Sequence, residues 1–179
     1  MADGVTVIAG LPIPSTSPVF LAVVGLHVLA GLTCVAAGAV AMLSRKGRGR
    51  HSDFGTIYFR GLVVVFLSSA GLAFSRWAED YPLFILASLA MASAWLGRGA
   101  MRGRWPGHVR LHIAGMGASY VVLLTAFYVD NGKNLPIWRA LPPIAYWLAP
   151  SGGGLPIIAW ALLRHPLVRH PASSVQRRP

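Results

Sequence analysis

The 179-residue chain is 55% hydrophobic and only 12% charged, with sixteen Lys and Arg against five Asp and Glu and a formal charge of +11. A soluble domain carries roughly 25% charged residues, so the composition excludes an ordinary water-soluble globule and points to an integral membrane protein. Nucleic acid is not the expected partner of the basic excess, because the cations flank apolar runs instead of lining one stripe; they read as topology and attraction to lipid.

Twelve of the sixteen cations fall in three places: Arg45, Lys46, Arg48 and Arg50; Arg98, Arg102, Arg104 and Arg110; and Arg164, Arg169, Arg177 and Arg178. Basic connectors stay on the cytoplasmic side. The pattern therefore predicts an all-α, polytopic transmembrane bundle of about five spans, with the N-terminus outside and the C-terminus cytoplasmic. At about 20 residues per crossing, the length leaves only short connections and one domain.

Residues 1–17 hold Pro12 and Pro14 and one charge, Asp3, and read as a short extracytoplasmic lead-in. The transmembrane domain is expected over 18–164 and a basic cytoplasmic tail over 165–179, polar and disordered beyond Arg169. Span one, 18–43, is free of charge. No basic segment precedes it and Arg and Lys follow it at once, so it reads as a retained anchor, not a cleaved signal peptide. Span two, 56–75, holds Arg60 one turn inside its cytoplasmic end, where the side chain snorkels to headgroups.

Span three, 81–97, is the shortest, bracketed by Trp77, Tyr81 and Trp95 as interfacial aromatics. Span four, 108–129, leads into an outer loop with the turn signal Asn131-Gly132. Span five, 143–163, carries Pro150, Ser151, Gly152, Gly153, Gly154 and Pro156 at mid-depth. A helix broken there frees backbone groups that neighbours, water or a ligand must satisfy, as in carriers; the alternative is a kinked helix patched by its neighbours. The outer side then holds only Arg76, Lys133 and Arg139, the contrast that favours this threading.

Cys34 is the one cysteine and excludes a disulfide framework or a Cys metal site. No carboxylate is expected within a span, and no phosphate loop or nucleophile elbow occurs. Histidine is the remaining source of chemistry. His27 shares a helical face with Gly31, Cys34 and Gly38, which suits a second helix or the flat face of a haem. His112, Gly115, Met116, Ser119 and Tyr120 form a similar face on span four.

A membrane b-type haem needs two imidazoles at one depth on different helices. His27 and His112 differ in depth by roughly 10 Å or more in this threading. His51, His108 and His112 gather at the cytoplasmic boundary, with Asp53 the acid nearby, as a haem or metal site or as headgroup-facing loop residues. His27, His51 and His112 are thus the candidate cofactor-binding residues, a b-type haem is the cofactor they would take, and no separate metal site is expected.

The stretch Arg45-Lys46-Gly47 with His51 and Gly55 to Tyr58, together with His112 through Gly115-Met116, Tyr120 and the run 123–136, resembles an uncharacterised family of bacterial multi-pass membrane proteins, a domain of unknown function. The resemblance implies a multi-pass protein of the bacterial cytoplasmic (inner) membrane and no reaction. The histidines are also loosely similar to those of the ascorbate-linked cytochromes b. Those proteins need two depth-matched histidine pairs, whereas here one histidine lies in the outer half of a span.

Three expectations follow: an accessory or interaction role among lipid and other membrane proteins, without enzyme activity; a haem-binding redox protein using His112 with His51 or His27; and a small carrier or channel centred on span five.

Overall fold

The computed structural model describes residues 6–8, 11–13, 17–165 and 168. It is a bundle of five helices preceded by a two-stranded ribbon, in which β1 (Thr6–Ile8) pairs antiparallel with β2 (Leu11–Ile13), Val7 opposite Pro12. Pro12 donates no ladder hydrogen bond, and a two-stranded ribbon, being all edge, tolerates it. The short lead-in expected from the sequence thus carries a paired ribbon. Apart from His165 and Val168, the expected basic tail lies outside the described residues.

Helix α1 (Pro18–Leu43) starts with proline in its first turn, where the missing N–H costs nothing. Its last carbonyls are taken by side chains: Ser44 Oγ donates to Val40 O (2.6 Å), Lys46 Nζ to Met42 O (2.6 Å), and His51 Nδ1 to Ala41 O (2.8 Å). Helix α2 (Arg50–Ser75) starts six residues before the expected span, and α3 (Trp77–Gly103) is the longest helix, not the shortest. Hydropathy marks where lipid ends; backbone hydrogen bonding continues through the polar turns beyond it. Helix α3 stops where Arg104 turns left-handed (φ 49°).

Helix α4 (His108–Asn131) follows Gly107, whose φ of 71° suits glycine. Two 3₁₀ turns, Gly132–Asn134 and Trp138–Ala140, lead to α5 (Ile144–Arg164). Tyr128 stacks on Trp138 with ring centroids 3.9 Å apart, which closes this end of the bundle.

The fifth helix corrects the expectation of a mid-depth break: α5 runs unbroken through Pro150 and Pro156. Each proline removes one helical hydrogen bond, but in an apolar surrounding every other backbone group is best satisfied within the helix. Gly154 packs on Val121, and a Cβ at Gly117 would stand 2.6 Å from Ile158. A Cβ at Gly152 or Gly153 would meet nothing. The glycines therefore serve one close helix approach and leave no opened backbone.

Sequential helices pack on one another, and α4 also touches α1. Four helices, α1 to α4, are long and apolar enough to cross a membrane. The chain is accordingly a helical membrane protein. Helix α5 lies antiparallel on α4, with Tyr146 against Gly132 and Ile158 against Gly117, and so covers much of the same height.

The core combines small side chains with Tyr58, Leu62, Val65 and Leu123, and Tyr120 packs against it. Cys34, Ala37, Tyr58, Leu62, Ala90 and Ala94 are among its buried residues. Tyr58 Oη and Ser119 Oγ are 2.7 Å apart, and Tyr120 Oη donates to Val35 O at 3.0 Å, tying α4 to α2 and α1. The tightest crossing joins α3 to α4. A Cβ at Gly115 would stand 2.7 Å from the Ser93 carbonyl oxygen and 2.8 Å from Gly97 Cα. This close backbone approach is the packing that small residues permit between membrane helices.

Candidate functional site at the basic end of the bundle

The alternating direction of the helices brings the end of α1, the start of α2, the end of α3, the start of α4 and the end of α5 to one end of the bundle. All three basic clusters therefore meet there, as far as the residues are described. The opposite end carries Glu79, Asp80 and Asp130 with Arg76, Lys133 and Arg139. Arg76 and Glu79 make the one ion pair among the described residues.

At the basic end the structure brings His51 and His112 together. Their ring centroids are 6.1 Å apart and the rings nearly perpendicular, at 79°. His51 Nδ1 faces Ala41 O at 2.8 Å and His112 Nδ1 faces Gly97 O at 3.1 Å. A carbonyl only accepts, so Nδ1 is the protonated nitrogen of each neutral ring and Nε2 keeps its lone pair, the arrangement that orients a ligating histidine.

Each imidazole also does structural work. His51 covers an orphan carbonyl at the end of α1, and His112 bridges α4 to α3 at the Gly97–Gly115 crossing. Lys46 shares Ala41 O (3.4 Å), and desolvation there lowers its ammonium below the usual lysine range.

His108 uses Nδ1 on Trp105 O (3.2 Å), within its own turn. Among the described residues, no group of three or more His, Cys, Asp or Glu is placed to hold a metal ion, so the triad of His51, His108 and His112 does not assemble.

His27 lies elsewhere. Its Nδ1 is 2.9 Å from Ser68 Oγ, which donates its own hydrogen to Val64 O and so accepts from the imidazole. Ser68 is 17 residues beyond His51 along α2, which places His27 about 25 Å from the His51–His112 level. That agrees with the depth difference of roughly 10 Å or more expected from the sequence, and His27 cannot share a haem with His112.

The small-residue faces are filled by protein. A Cβ at Gly61 would stand 2.7 Å from Cys34 Sγ, and one at Gly38 would stand 2.5 Å from the Tyr120 ring; only Gly31 stays open. On α4, Gly115 receives α3 and Ser119 receives Tyr58. These faces join helices.

The sequence did not reveal the placement of Arg98. Its Nη2 donates to Thr56 Oγ1 at 3.3 Å and its guanidinium lies over the Phe59 ring, 4.9 Å from the centroid. Arg98 and Arg102 are visible as an i, i+4 pair, but nothing along the chain pairs them with α2.

No family model, no curated protein and no solved structure matches the chain.

Proposed function

We propose that the chain is an accessory protein of the bacterial cytoplasmic membrane, threaded with its N-terminus outside and its C-terminus in the cytoplasm, which packs against lipid and other membrane proteins without a reaction of its own. The bacterial origin rests on the family resemblance, and the threading on the common end of the basic clusters.

One observation carries the accessory role: α1 is half uncovered. Its buried residues are Cys34, Ala37, Gly38 and Ala41, all in the second half, although it is the most apolar helix, with a mean hydropathy of 2.3 over an 18-residue stretch. In the first half, a Cβ at Gly25 or Gly31 would meet nothing. Glycine exposes backbone and gives lipid little to cover, whereas it lets another helix approach closely.

A photoreactive residue in place of Leu29, 66% exposed on this half, tests the reading in native membranes. The expected product is one discrete adduct with a second membrane protein. Adducts to lipid alone would reject an interaction role for α1.

A second reading is favoured by the His51–His112 pair. The ring centroids are 6.1 Å apart, and with both Nδ1 atoms engaged on backbone carbonyls the Nε2 atoms of His51 and His112 are the ones that would hold a haem iron. Lys46 and Arg98 bear on His112 electrostatically, which opposes a bare dication and suits a b-type haem, whose carboxylates bring negative charge. The detergent-purified protein would then show a Soret band that His112→Ala abolishes. A featureless visible spectrum after expression with haem supplied removes this reading.

A further inference from the structure

The basic end holds a second cluster, centred on Arg98, whose own hydrogen bonding and charge neither reading accounts for. Arg98 sits five residues before the end of α3, level with Thr56 on α2 through their hydrogen bond. Arg102 lies one turn nearer water on α3, and Arg60 one turn deeper on α2, each about 6 Å away along its helix. These two cations are the charges that bear on Arg98. Three guanidinium groups therefore gather from two helices at the boundary of the apolar span.

Their protein partners do not neutralise them. Thr56 Oγ1 gives its hydrogen to Ser52 O (2.9 Å) and accepts from Arg98, which supplies geometry but no charge. Arg98 Nε is buried without a hydrogen-bond partner, and Nη2 makes the one hydrogen bond of the guanidinium. Asp53, one turn outside Thr56, makes no ion pair among the described residues.

Like charges held together next to lipid repel, and an arginine held by Thr56 and Phe59 cannot swing away without losing both contacts. A buried donor without an acceptor also costs free energy. An anion with several oxygens relieves both costs, and guanidinium forks match phosphate geometry better than an ammonium does. At this depth the phosphate of a surrounding phospholipid is within reach of snorkelling side chains.

We propose that Arg60, Arg98 and Arg102, with Thr56 orienting Arg98, form a binding site for the phosphate of an anionic phospholipid headgroup. The site needs the helix ends to lie at a membrane boundary. It does not depend on which leaflet they face or on the accessory role of α1.

The test uses the full chain purified in detergent, with phosphatidylglycerol, phosphatidylcholine or inorganic phosphate as the probe, and reads bound lipid by native mass spectrometry. Wild type should retain phosphatidylglycerol in preference to phosphatidylcholine. Arg98→Gln should weaken that retention about tenfold, the scale of a lost charge-assisted hydrogen bond. Arg104→Gln, which removes one exposed charge at the same end, should change it by about twofold or less.

Equal losses in both variants would show diffuse surface attraction and overturn the site, as would unchanged retention in Arg98→Gln. If that variant fails to fold, Arg60→Gln/Arg102→Gln decides, since both side chains are exposed: retention within about twofold of wild type overturns the site. Inorganic phosphate that binds wild type but not the variants, with no retained phosphatidylglycerol, overturns the headgroup assignment in favour of free phosphate.

Discussion

Gly115→Ala should destabilise the bundle by about 1–3 kcal/mol, the range for overpacking a close-packed site. The added Cβ would meet the Ser93 carbonyl oxygen at 2.7 Å and Gly97 Cα at 2.8 Å. Both are backbone atoms, so no rotamer change makes room and α3 must move from α4 as a unit. Gly97→Ala presses on the same crossing from the other side, 2.9 Å from Met116 N. Thermal unfolding of the purified protein checks the effect, with Gly153→Ala as the control, because its Cβ would meet nothing. Equal midpoints for Gly115→Ala and Gly153→Ala would mean that this crossing is not the close contact described.

The same substitution should reach the basic end. His112 Nδ1 bonds Gly97 O across this crossing, and Arg98 is the next residue. Displacing α4 loosens His112 from α3 and changes its distance from His51, so any ligand held there weakens together with stability.

The second large effect is all-or-none. A cysteine in place of Arg48 should resist an impermeant maleimide in intact cells and react after permeabilisation, whereas one in place of Lys133 should react in both. Cys34 contributes no background, since it is fully buried in the core. The connectors are apt sites: residues 45–50 are exposed, and Lys133 is exposed in the turn after α4. Reaction of the Arg48 variant in intact cells would invert the threading and remove the cytoplasmic assignment. The guanidinium site would then face the outer leaflet with its chemistry unchanged.

Much of the architecture was legible along the chain because placing charge in lipid is costly, and that cost depends on residue order alone. Alternating apolar runs and basic clusters specified the helices and brought the clusters to one end. Span limits were less legible: α2 extends to Arg50 and α3 to Gly103, since polar turns outside lipid remain helical. Span five was misread because Pro150, Gly152, Gly153 and Pro156 are helix breakers in water, yet apolar packing on α4 and the need to satisfy the backbone internally keep α5 continuous.

The candidate sites divide in the same way. Histidines and arginines near the basic boundary were visible as residue types, and the shared end of α2 and α4 made His51 and His112 a plausible pair. Their contact, the separate fate of His108 on Trp105, and the placement of Arg98 on Thr56 were not visible. Helix α4 distributes polar and apolar residues around all of its sides, so periodicity does not tell which face meets α3. That choice is made where Gly97 meets Gly115. Residue order determined a membrane bundle with one basic end, because lipid sorts charge by depth; tertiary structure alone decided which imidazoles and guanidiniums meet, because helix rotation and registry follow from the shapes that fit at the crossings.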